Sequence, residues 1–182
     1  ELLPSLSSKE EIDAVIEEIE DMLVVIRFGQ SQNCLHLDDI LVRAQRPLCK
    51  FVRIFTVELP SSAVEGETKE QHHQEAAVDG ILMYLKYFDI TLLPSTIFFF
   101  NAQHMKLSGL VDQTKWVGDF PGGRQDFMDV CEVLYKAAMR GKVRAFPSFP
   151  PSSVCSPRLG KAADVPRTRT TLQMIADCPL PP

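Results

Sequence analysis

The residues most able to do chemistry are five cysteines: Cys34, Cys49, Cys131, Cys155 and Cys178. Their number is odd and their spacings are long. No Cys-x-x-Cys pair and no paired Cys/His cluster occurs, which argues against both dithiol and zinc chemistry. Ser31 stands three residues before Cys34, where such a pair would hold its other sulfur. Thiol–disulfide exchange needs an attacking thiolate and a resolving partner, so Ser31 and Cys34 together read as a degenerate redox position. A free cysteine commonly packs as a small hydrophobe. Cys34 is therefore read as a packed or merely reactive thiol, with a monothiol oxidoreductase as the alternative. His72-His73 lies in a polar stretch without nearby cysteine and reads as a solvated pair. Asp38 and Asp39 are adjacent, so a helix would point them to different faces, which fits a solvated surface or a partner contact better than acid–base work. No catalytic residue, metal ligand or cofactor site is assigned, and no cofactor is expected.

The second informative feature is Phe88-Asp89-Ile90-Thr91-Leu92-Leu93-Pro94-Ser95-Thr96-Ile97-Phe98-Phe99-Phe100. A cis X-Pro bond is uncommon enough to be a placed feature. A proline followed by Ser-Thr and an apolar run resembles the entry of a thioredoxin fold into its central strand through a cis proline. Pro94 is read as that structural cis proline, shaping its loop against the helix that carries Cys34. In such folds the proline faces a Cys-x-x-Cys pair, and here it would face one sulfur only.

Several elements must position these residues. Ser7 and Ser8, followed by Glu10 and Glu11, form a capping-box signature. Ile12, Val15, Ile16 and Ile19 then repeat at helical spacing. Met22–Phe28 is apolar except for Arg27 and reads as a buried central strand, broken by Gly29. Cys34, Leu35, Leu37, Ile40 and Leu41 mark a second helix ending near Pro47. Phe51–Val57 reads as a strand, and strand–helix–strand implies a right-handed parallel crossover. Residues 65–83 open with a charged stretch that cannot supply a core face and read as an inserted surface loop. Asn101-Ala102-Gln103 reads as a tight turn with His104–Leu107 as its hairpin partner. Thr114–Val117 is a candidate edge strand. Phe127, Val130, Cys131, Leu134 and Ala138 form the stripe of a last helix that stops at Gly141. Trp116, with Phe120 close by, reads either as a buried edge anchor or as an aromatic partner contact.

Composition sets further bounds. Apolar residues make up 45% of the chain, enough for one sizeable core. The net charge of −5 argues against binding nucleic acid by charge alone. Residues 142–182 carry six Lys/Arg against two Asp/Glu, and eight of the thirteen prolines lie beyond residue 146. The expected organisation is a domain over 1–143, with the insertion at 65–83, and a disordered Pro/Ser-rich basic tail over 144–182. No apolar run is long enough for a bilayer span, and no signal pattern opens the chain. Cysteine usage fits a reducing intracellular compartment.

The motif wording is narrower than the fold. Leu2-Leu3-Pro4, Val24-Val25-Ile26-Arg27-Phe28-Gly29 and Cys34-Leu35-His36-Leu37-Asp38-Asp39-Ile40-Leu41 resemble the Dim family of thioredoxin-like spliceosomal proteins. So do Pro94-Ser95-Thr96, Phe98-Phe99-Phe100-Asn101-Ala102-Gln103-His104-Met105-Lys106 and Ala138-Met139-Arg140-Gly141-Lys142. The hairpin wording and Asp112-Gln113-Thr114-Lys115-Trp116-Val117-Gly118 are most similar to the 4B branch of that family. The resemblance implies a thioredoxin-like α/β fold with a mixed central sheet flanked by helices. It also implies a nuclear, non-catalytic component of pre-mRNA splicing that associates with the tri-snRNP through protein contacts. For the 4B branch it further implies binding to a Prp-six-type splicing factor, self-association as a homodimer and a link to cell-cycle progression. No membrane or direct sequence-specific nucleic-acid partner is implied. An inactive variant isoform, altered at 65–83 and in the tail, is a further alternative.

Overall fold

The computed structural model describes residues 3–59, 75–110 and 112–146, with the side chains of 75–79 left aside. Ser8 caps the first helix, α1 (Lys9–Glu18), by accepting a hydrogen bond from the Glu11 backbone N–H at 3.3 Å. The Glu11 carboxylate returns to the backbone N–H of Ser7, at 2.7 Å, rather than to that of the capping residue. Ile12 and Ile16 are buried and Val15 and Ile19 pack beside them, so the apolar stripe faces the core.

Three strands form the centre of the sheet. β2 (Leu23–Gly29) is buried along its whole length. It pairs in parallel with β3 (Val52–Glu58), Leu23 opposite Val52, and antiparallel with β4 (Ser95–Phe100), Leu23 opposite Phe100. A short strand β1 (Ser5–Leu6) adds in parallel to β3 at Thr56 and Val57. The crossover from β2 to β3 is helix α2 (Ser31–Leu48), which includes Pro47 in its last turn. With a short β5 (Gln103–His104) beyond β4, the strand order β1-β3-β2-β4-β5, with β4 reversed, is a thioredoxin-like mixed sheet flanked by helices.

Side chains alternate between the two faces of this sheet, and each face has its own core. Val25, Ile54, Phe98 and Phe100 pack with Leu37, Leu41 and Leu48 of α2 and with Phe127, Val130 and Leu134 of α4 (Arg124–Ala138). Val24, Ile26, Phe28, Ile97 and Phe99 pack with Ile12 and Ile16 of α1 and Ile81 of α3 (Glu75–Tyr87).

Helix α3 alters the reading of residues 65–83 as a loop. Residues 75–83 lie in this helix, and 65–74 fall outside the described residues. Ile81, Tyr84, Leu85 and Phe88 stand at helical spacing, and the polar stretch before them masks that period. Gly80 lets the helix lie close to α1, since a β-carbon there would come within 2.6 Å of the Lys9 Cβ.

The hairpin also differs. Asn101 and Ala102 turn with φ of 46° and 60°, the left-handed geometry of a type I′ connection. Of the expected partner His104–Leu107, only His104 lies in the strand that pairs with β4 across this turn, β5 (Gln103–His104). Met105 still donates its N–H to the Phe98 carbonyl at 2.9 Å; the chain then leaves the hairpin, and β6 (Lys106–Leu107) pairs in parallel with β8 (Arg144–Ala145). The ordered body thus runs past the expected boundary at 143. The candidate edge strand narrows to β7 (Trp116–Val117), antiparallel to Ser95 and Thr96 of β4. The expected disordered tail lies outside the described residues beyond 146.

Candidate functional site: a single sulfur over a buried ion-pair network

Cys34 lies in the first turn of α2, just after β2 ends at Gly29. Its side chain is fully buried. A β-carbon placed on Gly29 would meet the Cys34 Sγ well inside contact distance and would lie 3.6 Å from the Pro94 Cα. The Leu93–Pro94 bond is cis. The structure therefore brings Cys34, Gly29 and Pro94 together.

The surroundings of the sulfur disfavour the thiolate. Burial pushes the Cys34 thiol up to about 11, and the Arg27 guanidinium only partly opposes this. The carboxylates of Asp38 and Glu58 push in the same direction as burial. Ser31, at the head of α2, supplies no second sulfur. Its hydroxyl donates to Glu58 Oε2 at 2.6 Å, tying the start of the helix to the end of β3.

Arg27 is the centre of the site. It stands mid-strand in β2, between Thr56 of β3 and Thr96 of β4, and is only 1% exposed. A buried guanidinium requires anionic partners. Asp38 accepts from Nε at 2.9 Å and from the terminal NH2 nitrogen at 2.5 Å. Glu58 Oε1 lies 3.0 Å from the same NH2 nitrogen. This fork-shaped pairing links β2, α2 and β3 and uses the bidentate geometry special to arginine. Burial holds the Asp38 carboxyl above its ordinary range despite the arginine. The other terminal nitrogen of Arg27 and the Thr96 Oγ1 are buried without a hydrogen-bond partner among the described residues.

Asp38 is therefore no solvated surface acid; only Asp39, paired with Arg43 at 2.9 Å, faces outward. A signal for Asp38 existed in the sequence. It stands four residues after Cys34, one helical turn on, and Arg27 in an apolar strand needs an acid. Glu58 carried no such local signal, because its approach to Arg27 depends on the parallel pairing of β3 with β2.

Trp116 and Phe120 take the buried-anchor place, one of the two the sequence offers. They are 1% and 2% exposed and stack on one another with ring centroids 4.5 Å apart. Phe120 also meets Phe127 of α4 edge-on at 5.1 Å. Among the described residues no group of three or more His, Cys, Asp or Glu is placed to hold a metal ion. His72 and His73 lie outside the described residues.

The family model described as Mitosis protein DIM1 matches residues 2–70 and 74–149, so the match passes through most of the stretch read as an insertion. The chain is 42% identical over 145 residues to human Thioredoxin-like protein 4B, covering 78% of this chain and 84% of that protein. It is 23% identical to Mitosis protein dim1 of Schizosaccharomyces pombe, over 77% of this chain and 87% of that protein. It is 21% identical to Spliceosomal protein DIB1 of Candida glabrata, over 78% of this chain and 88% of that protein. On the extent of the family match and the level of identity to the human protein, this chain belongs to the DIM1 family.

Proposed function

We propose that the chain is a non-catalytic, protein-binding component of the nuclear pre-mRNA splicing machinery. The observation that carries this reading is the state of the redox position. One sulfur remains there, buried, with its thiol pushed up to about 11 and with a serine in place of its partner. Thiol exchange runs through the thiolate, and this environment withholds it at neutral pH. The buried Arg27 pairs with Asp38 and Glu58, so neither carboxylate is left as a free base beside the sulfur. A relative named as a spliceosomal protein supports the setting.

In finer terms, the proposed partners are proteins of the tri-snRNP, among them a Prp-six-type splicing factor, together with a second copy of this chain. The fission-yeast relative, Mitosis protein dim1, supports a link to cell division. Affinity purification of the tagged full chain from nuclear extract tests the proposal. Recovery of tri-snRNP proteins is the expected result. Recovery of soluble redox enzymes in their place, together with insulin reduction that Cys34→Ser abolishes, would overturn it.

A further inference from the structure

A groove of about 600 Å³ lies between the C-terminal half of α2 and the outer edge of β3, away from Cys34. Three arginines line it: Arg43 and Arg46 from the helix and Arg53 from the strand. All three are exposed. The pattern of each element puts them there. Helix α2 turns Leu41, Ala44 and Leu48 inward, which leaves Arg43 and Arg46, three residues apart, on an outer face. In β3, Val52 and Ile54 are buried against α2, so Arg53 projects from the opposite face of the sheet. The arginines therefore bracket the sheet edge from both sides.

Arg43 already has Asp39 as an ion-pair partner within its own helix. Among the described residues, Arg46 and Arg53 have none. The groove is not purely polar: Pro4 and the half-buried Phe55 contribute apolar wall. Along the outer side of β3, strand β1 pairs only with Thr56 and Val57.

We propose that this groove docks an extended acidic segment of a partner protein, whose carboxylates pair with Arg46 and Arg53. Arginine is the side chain suited to fork-like pairing with carboxylates at an interface. An extended segment places successive side chains on opposite sides, matching arginines on opposite faces of the edge. A peptide fits the groove better than a nucleic acid does. The residues before 142 carry a net charge of −9, which repels a long polyanion, whereas a short peptide brings few charges and apolar side chains for the walls.

The test uses the purified full chain and a fluorescein-labelled peptide of alternating Glu and Val, read by fluorescence anisotropy. Arg46→Gln and Arg53→Gln, both exposed, should each weaken binding about tenfold. Replacing every Glu of the peptide by Gln should abolish binding, and added salt should weaken it. Cys49 is exposed and lines the same groove, so bound peptide should slow its alkylation, mapped by mass spectrometry. Equal binding of the Gln peptide, wild-type affinity in the double variant, or unchanged Cys49 alkylation at saturating peptide would overturn the proposal. So would tighter, arginine-dependent binding of a single-stranded RNA oligonucleotide. No nuclear extract is involved, so this docking can fail while the splicing assignment stands, and the reverse also holds.

Discussion

Arg27 of the central strand and Asp38 of the crossover helix form a two-pronged ion pair, with separations of 2.9 and 2.5 Å, directly beneath the helix turn that holds Cys34. Removing one partner of such a buried pair leaves the other charge uncompensated, at a cost of about 3–5 kcal/mol. Asp38 retains 26% side-chain exposure, so the lower end of that range applies. Arg27→Ala should therefore lose about 3 kcal/mol in urea unfolding. Arg27→Met combined with Asp38→Leu should recover most of the loss. A double variant no more stable than Arg27→Ala would show that the pair does not fix the site.

The buried thiol gives a pH prediction. The folded state holds the Cys34 thiol at about 11, above its ordinary value of 9.0. Folding therefore favours the protonated form, and the stability this contributes is complete below about pH 9 and declines as pH rises toward 11. Alkylation of Cys34 should be negligible at neutral pH and should accelerate in that alkaline window. Mass-mapped labelling with iodoacetamide across pH checks this. Rapid labelling at pH 7 would contradict it.

Ser31 and Cys34 sit three residues apart in one helical turn, a spacing at which α-carbons fall within the range that a disulfide spans. Ser31→Cys should thus form an intrahelix disulfide on mild oxidation, seen as the loss of two titratable thiols. Reduction of insulin by this variant should remain weak, because the resolving thiol, Cys34, is buried with its thiolate disfavoured and would release the mixed disulfide slowly. Turnover at the level of an active dithiol enzyme would show that the missing sulfur alone had silenced the site.

Gly29 has a steric reason to be glycine. A methyl group there would collide with the Cys34 sulfur, and overpacking of this kind costs about 1–3 kcal/mol. Gly29→Ala should destabilise by that amount. Cys34→Ala should relieve much of it, so the two changes should couple strongly in a double-mutant cycle. Additive effects would place the two side chains out of contact.

At the hairpin, Ala102 adopts φ of 60°, where a β-carbon is unfavourable. Ala102→Gly should raise the unfolding free energy by about 0.5 kcal/mol, the relief of the left-handed strain being offset in part by a freer unfolded chain. A lower denaturation midpoint would contradict the turn geometry.

Much of this protein could be read along the chain itself. The Ser8 cap, the Ile12/Ile16 stripe, the apolar strands on either side of Arg27 and the Pro94 entry to β4 depend on neighbours within one turn or one strand. Local patterns fix such features, and the sequence displays them directly. Helix α3 was not legible, because the polar stretch before it masks the period that Ile81, Tyr84 and Leu85 carry. Tertiary structure alone decided the rest. It joined Arg27 to Glu58 across 31 positions of chain, because the β2–β3 register brings their strands together. It turned Trp116 and Phe120 inward because α4 closes over β7, and it diverted residues after Met105 from the hairpin to a strand near residue 144. These outcomes depend on which distant segments share a boundary. That choice is settled by the burial and pairing available to the whole chain, and no single stretch of residues carries it.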